Sequence, residues 1–165
     1  SYAGGFSVHA LAGGATEVTS LDISGPALEV AKVNAQLNNF SGKHIVIVGD
    51  AFKEMESLAD ARTKFDIVVI DPPSFAKSAV EVDRAIHSYK RLANLGLKLV
   101  SRGGILVLAS CSSRVTSNVF FDLIEDVMDV AQVNYKVLTT TKHDIDHPIG
   151  FKEGAYLKTI YIRIN

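Results

Sequence analysis

The chain has 165 residues, a length that suits one domain with a substantial core. Its 47% hydrophobic and 21% charged residues exclude a disordered chain, and no apolar run reaches the roughly 18 residues of a membrane span. A net charge of −1 gives no general attraction to phosphate, so a nucleic-acid partner needs a local basic patch or a separate domain; the single Cys excludes a disulfide framework and suits a reducing cytosol.

The chain starts mid-motif with Ser1-Tyr-Ala-Gly4-Gly5-Phe6. Gly4 and Gly5 predict a tight loop, and Phe6 to Ala12 a short helix closed by Gly13-Gly14. A Gly loop feeding a helix N-terminus suits close approach by a ligand, although Gly-Gly is more often only a turn. Such a loop normally follows a strand, and no residue precedes Ser1, so the sequence is expected to be an excerpt or a truncated product of a longer protein. There is no basic segment followed by an apolar one, so no signal peptide is expected.

Glu17 to Ile23 reads as a strand ending in Asp22, and Ser24-Gly-Pro26 opens a helix to about Asn38 with Ser24 as N-cap. Ala27, Leu28, Ala31 and Ala35 form its buried side. His44 to Val48 is the next strand, ending in Gly49-Asp50, and Ala51 to Ala61 is an amphipathic helix. Phe65 to Ile70 has the β-branched composition of a strand buried on both faces. It stops at Asp71-Pro72-Pro73, because proline has no amide hydrogen for a ladder and forces the preceding residue to be extended.

A long helix is predicted from about Val80 to Ser101, with Val82, Ile86, Tyr89, Ala93, Leu97 and Val100 as its apolar stripe and Gly103-Gly104 as its stop. Ile105 to Ala109 is an apolar strand leading into Ser110-Cys111-Ser112-Ser113. Thr116 to Ala131 is helical, with Phe120, Leu123, Ile124 and Val127 inward. Val133 to Thr139 and Ala155 to Ile164 are the last strands; no helix separates them, so they are expected to pair antiparallel. The alternation indicates an α/β, Rossmann-like, doubly wound and mostly parallel sheet with an antiparallel C-terminal hairpin.

Three consecutive strands end in an acid: Asp22, Asp50 and Asp71. Carboxylates repel a dinucleotide's pyrophosphate but suit ribose hydroxyls, an adenine amine and a cationic centre. S-adenosylmethionine carries all three, which favours a methyltransferase over a dehydrogenase. Asp22, about 17 residues beyond the Gly loop, is placed to bond a ribose diol. The plain alternative is a capping or solvated Asp. Asp50 could accept from the adenine amine with Phe52 against the ring, or simply cap the following helix. Asp71 sits at the strand edge where open α/β sheets bind ligands, or only caps the next segment. Cys111 lies just past a buried strand, at its functional edge, which points to a nucleophile; a lone Cys is otherwise often buried filler.

The pieces Ser1-Tyr-Ala-Gly-Gly-Phe6, Asp71-Pro-Pro-Ser-Phe75, Ser110-Cys-Ser112 and Asp146-His-Pro148 with Glu153-Gly-Ala-Tyr-Leu-Lys158 occur in this order. Together they resemble the catalytic domain of the bacterial 23S rRNA cytosine-C5 methyltransferase family, a class I S-adenosylmethionine-dependent group, across essentially the whole chain. The resemblance implies that residues 1–165 are a catalytic domain whose first strand precedes Ser1, with a PUA-type RNA-binding domain upstream. It implies that Gly4, Gly5, Asp22, Asp50, Ala51, Phe52 and Asp71 surround the cofactor or target base. Pro72, Pro73 and Phe75 are expected to face the substrate, and Cys111 matches the nucleophile, with Asp71 as its catalytic partner. The expected partner is ribosomal RNA, 23S by the resemblance, in the cytoplasm; the oligomeric state is left open, with a homodimer as one option.

The chemistry of such a reaction suits these residues. Cytosine C5 is a poor nucleophile, so a thiolate adds to C6 and turns the ring into an enamine. Amino-group methyltransferases place an aromatic directly after Pro-Pro, whereas Ser74 intervenes here before Phe75. Guanine-N7 enzymes with a similar loop lack a Cys at the position of Cys111; uracil-C5 enzymes use one. A catalytically inactive module that keeps the fold for binding is the alternative from a different class.

Two features stand apart. His143-Asp144-Ile-Asp146-His147 has the look of a metal cluster, but its loop lacks a rigid scaffold, so no metal is expected and a loop rimming the substrate pocket is the favoured reading. Lys77, Arg84, Arg91 and Lys98 recur every seven residues along the long helix, joined by Arg102. The stripe could contact phosphates, though it is more often a solvated face.

Overall fold

The computed structural model describes residues 1–76, 78–151 and 154–165. It divides into two compact units, Ser1–Ser57 and Leu58–Asn165.

The first unit begins with α1 (Gly5–Ala12), β1 (Glu17–Asp22), α2 (Gly25–Gln36) and β2 (Lys43–Val48), and α3 (Ala51–Asp60) runs across the division. β1 and β2 pair in parallel from Glu17 with Lys43 to Asp22 with Val48. Gly4 caps α1 in the left-handed conformation, at φ 78°. A Cβ there would also lie 2.8 Å from the Cβ of Ala31, so backbone strain and lack of room both require glycine. Ser24 caps α2, its Oγ accepting from the Ala27 N–H at 3.3 Å, and Pro26 fits the first turn, where its missing donor costs nothing. Leu28 and Ala31 of α2 are fully buried.

The second unit contains β3 (Phe65–Ile70), a 3₁₀ turn (Ala79–Glu81), α4 (Val82–Leu99), β4 (Val100–Ser110), α5 (Ser117–Val130), β5 (Tyr135–Thr141) and β6 (Lys158–Ile164). Its sheet has the order β3-β4-β6-β5. β3 and β4 are parallel, while β6 lies antiparallel to both β4 and β5. The antiparallel part is therefore larger than a hairpin: the last strand inserts between β4 and β5. Leu106, Leu108, Ile160 and Ile162 of the sheet, with Phe120, Ile124 and Met128 of α5, form its core.

Several boundaries differ from the sequence expectation. The long helix stops at Leu99, and Gly103-Gly104 lie inside β4 rather than ending the helix. The β3–β4 ladder shifts register between Phe65 and Ile67, which absorbs these extra residues. The buried residues of α4 are Ala85, Tyr89, Leu92, Ala93, Leu95, Gly96 and Leu99; Tyr89 and Ala93 belong to the expected stripe, but Val82, Ile86 and Leu97 are only half-buried. The small residues decide this, because they let the helix sit close to the sheet: a Cβ on Gly96 would lie 2.7 Å from Leu106 Cδ1. β3 is covered on one face only, with Val68 and Ile70 buried but Ile67 and Val69 exposed. An apolar run cannot by itself distinguish a covered face from an open one. β5 and β6 begin at Tyr135 and Lys158, later than predicted.

Candidate active site

In the first unit, Asp22 ends β1 and holds the loop that leads into α1. Its Oδ1 accepts from the Ser24 N–H at 3.0 Å, and its Oδ2 accepts from the Tyr2 N–H and the Ser1 amino group, each at 2.7 Å. Burial raises its pKa, but these bonds and the amino-group charge outweigh that and hold the carboxyl down to about 2. A carboxylate has about four acceptor sites, so three N–H bonds leave room for another donor. The Asn34 side chain donates to the Ala3 carbonyl at 2.9 Å and fixes the same loop. Gly5 opens α1 with nothing within 4 Å of where its Cβ would stand. Asp50 follows β2, and its Oδ1 accepts from the Lys53 N–H at 3.1 Å. It thus caps α3, whose first residues are Ala51 and Phe52; the capping alternative raised by the sequence is realised.

In the second unit, the parallel pairing of β3 with β4 brings their carboxyl ends side by side, Ile70 opposite Leu108. Asp71-Pro72-Pro73-Ser74-Phe75 therefore meets Ser110-Cys111-Ser112. Cys111 Sγ donates weakly to the Pro72 carbonyl at 3.8 Å. Ser112 Oγ and Ser74 Oγ both donate to the Ala76 carbonyl, each at 3.2 Å. The Phe75 ring packs edge-on against Tyr89, with centroids 5.1 Å apart. Behind them, Tyr89 Oη and Ser110 Oγ are 2.8 Å apart, and the Ser112 N–H donates to Ser110 Oγ at 3.3 Å. Asp71 keeps an exposed surface, yet burial raises its carboxyl above the ordinary range.

Tyr89, Ser110 and Lys158 hold this pair of loops together without having been singled out from sequence for that role. Lys158 is 1% exposed and donates to the carbonyls of Ser112 and Tyr156. Burial lowers its pKa to about 8, with the nearby Cys111 charge acting the other way. The signal that could have found it is strand period: Lys158 shares the alternate positions of Ile160, Ile162 and Ile164, all buried.

The His143 and His147 rings stack, with centroids 4.5 Å apart, and Tyr156 meets His143 edge-on at 4.5 Å. His143 Nε2 accepts from the Leu157 N–H at 3.0 Å. Arg84, Arg91, Lys98 and Arg102 are exposed. Lys77 of the basic stripe and Glu153 of the last motif lie outside the described residues.

Residues 1–152 match the family model described as S-adenosylmethionine-dependent methyltransferase. A ribosomal RNA large subunit methyltransferase of Deinococcus radiodurans is 37% identical over 166 residues, covering 100% of this chain and 41% of that protein. Ribosomal RNA large subunit methyltransferase I of Vibrio cholerae is 40% identical over 163 residues, covering 96% of this chain and 41% of that protein. The chain thus spans about two fifths of the length of these curated relatives. Among solved structures, a proposed SAM-dependent methyltransferase from Streptococcus mutans superposes with a TM-score of 0.82 at 25% identity, covering 96% of this chain and 41% of that one. A further methyltransferase structure, complexed with SAH, gives 0.80 at 24% identity over 96% of this chain and 42% of that one. These likenesses identify the fold as Rossmann-like.

Proposed function

Since the chain belongs to the S-adenosylmethionine-dependent methyltransferase family, we propose that it methylates C5 of a cytosine in large-subunit ribosomal RNA through a covalent Cys111 adduct. The observation that carries this reading is the tether between Cys111 and the Asp71-Pro72-Pro73 loop. A thiol and a carboxyl raised by burial stand on neighbouring strand ends, which are the two groups that addition to a cytosine ring needs.

The first unit's residues fit the cofactor. The Asp22 carboxylate stays ionised and keeps acceptor capacity for ribose hydroxyls, and Gly5 leaves the start of α1 open to close approach. Asp50, Ala51 and Phe52 would flank the adenine, Asp50 with its second oxygen. When bound, S-adenosylmethionine supplies an electrophilic methyl group on a sulfonium sulfur.

On the base side, the Cys111 thiolate forms a bond to C6, and the C5–C6 π pair moves onto C5. Asp71 hydrogen-bonds the N3 and N4 edge and steadies the charge that develops there. Pro72 and Pro73 keep the loop stiff, and Phe75 braces it on Tyr89. Once C5 carries the methyl, loss of its proton returns an electron pair to the ring, and the S–C6 bond breaks to restore the thiolate. The target base must first be unstacked from its RNA. In this reading residues 1–165 supply the catalytic machinery in a reducing cytoplasm. RNA selection falls to basic surface such as the α4 stripe or to a separate RNA-binding domain of the PUA type.

The test is trapping. RNA containing 5-fluorocytosine should form a gel-stable covalent adduct with the full chain and S-adenosylmethionine, and Cys111→Ser should abolish it. Methyl transfer without an adduct would sink the nucleophile assignment, and an adduct only with 5-fluorouracil RNA would move the target to uracil C5.

A further inference from the structure

Lysine is among the residues least often buried, because removing its ammonium from water costs on the order of several kcal/mol unless partners compensate. Lys158 opens β6 on the same face as three buried isoleucines, opposite Ser110 in the β4–β6 ladder. Its partners are two neutral carbonyls, of Ser112 and Tyr156. Among the described residues, no carboxylate lies within ion-pair distance of it. The carbonyls satisfy two N–H donors but leave the charge itself unneutralised.

The titratable groups named around Lys158 come from the turn after β4, from α4 and the β3 loop behind that turn, and from the segment that enters β6. Cys111 lies on the turn that Lys158 binds, and its charge acts on Lys158 against the effect of burial. Tyr89 of α4 stands behind Ser110, and Asp71 beyond β3 acts on Tyr89 as Cys111 does. His143 and Tyr156 lie on the segment that enters β6. Of these, Cys111 is the one whose ionisation the proposed reaction requires. Asp71 and Tyr89 are both held toward their neutral forms by burial.

We infer that Lys158 is a positioning residue for Cys111: it pins the Ser110–Ser112 turn through the Ser112 carbonyl and supplies the buried positive charge beside which the thiolate forms. The inference rests on the reading of Cys111 as nucleophile for its consequence in turnover. Thiol reactivity tests it independently of that reading. No bond to Nζ is made or broken; the thiol proton leaves to solvent, and the ammonium balances the charge that remains.

Cys111 is the single Cys of the chain, so alkylation by iodoacetamide reports one thiol. Lys158→Gln keeps two N–H donors but loses the charge; Lys158→Arg keeps the charge. At pH 7 the Gln variant should alkylate about ten-fold more slowly than wild type, and the Arg variant close to the wild-type rate. Above about pH 8, where Lys158 itself loses its proton, wild type and the Gln variant should converge. A merely structural lysine would not produce that convergence. Equal rates for the folded Gln variant and wild type across this range would overturn the inference.

If the variants do not fold, the unmutated chain decides. The titration of Lys158, followed by NMR of the lysine side chain, should move to lower pH once Cys111 carries a neutral carbamidomethyl group; no movement would overturn the inference. Charge-dependent thiol reactivity without a 5-fluorocytosine adduct would leave this inference standing and remove the nucleophile reading. An adduct with charge-independent reactivity would do the reverse.

Discussion

Cys111 Sγ lies 3.8 Å from the carbonyl oxygen of Pro72, 39 residues earlier in the chain. The contact exists because β3 and β4 run parallel and end at the same level, so the loop after each meets the other. In its thiol form Cys111 donates to that carbonyl; in the proposed reaction the thiolate gives up this weak bond and attacks. Removing the sulfur should therefore abolish chemistry without dismantling the site. Cys111→Ser is expected to cut methyl transfer on the order of 10³-fold or more. Calorimetric titration with S-adenosylmethionine should give wild-type affinity, and retained turnover would exclude Cys111 as the nucleophile.

Tyr89 is 1% exposed and joins the two loops from behind, its hydroxyl 2.8 Å from Ser110 Oγ and its ring against Phe75 and Phe120. Tyr89→Phe keeps the ring contacts and deletes only the hydroxyl. Ser110 Oγ still accepts from the Ser112 N–H, so the expected loss is about 1 kcal/mol, a Tm drop of about 2–4 °C for a chain of this size. An unchanged melting curve would show that the hydroxyl pair carries no stability.

Gly4 should tolerate no side chain. With φ at 78° and a built Cβ 2.8 Å from Ala31 Cβ, Gly4→Ala incurs both left-handed strain and overpacking. The two together are expected to cost about 2–4 kcal/mol. Urea denaturation followed by circular dichroism measures this, and a loss below about half a kcal/mol would mean that α2 simply yields.

Asp71 links stability to pH. Burial raises its folded pKa, so the group binds protons more tightly folded than unfolded. Its contribution is fully present below the unfolded value near 3.8 and is lost as pH rises through the raised folded value. Asp71→Asn cannot ionise. The variant should melt higher than wild type at pH 7, with the advantage vanishing in acid, while methyl transfer falls. A pH-independent difference in Tm would contradict the assignment.

His44 should act in the opposite sense. Burial, with Lys32 nearby, lowers its pKa below 6.5, and Ser20 Oγ is 2.8 Å from its Nε2 in a chain that continues to Ser7 at 2.6 Å. The folded state therefore prefers the neutral ring. Stability from this group is present above pH 6.5 and is lost as pH falls through the lowered folded value. Urea midpoints at pH 7.5 and pH 5 should differ more for wild type than for His44→Gln; equal differences would remove His44 from the acid sensitivity.

The amino-acid order alone determined the alternation of elements, the bounds of β3, the cap at Ser24, and the placing of Asp22, Asp50 and Asp71 at strand ends. These come from local physics: β-branched runs, Pro-Pro stops and short polar side chains act within a few residues of themselves. Local pattern failed where packing overrode it. Gly103-Gly104 look like a helix stop but lie in β4, and the buried face of α4, which keeps the expected Tyr89 and Ala93, turned toward Ala85, Leu92 and Gly96, where close approach to the sheet was possible. Only the tertiary structure decided that β6 inserts between β4 and β5. That insertion carries Lys158 to the Ser112 carbonyl, 46 residues away in sequence, and buries a lysine against the turn that bears Cys111. Strand order is a long-range choice, made by which apolar faces can be buried together, and no short window of sequence contains it.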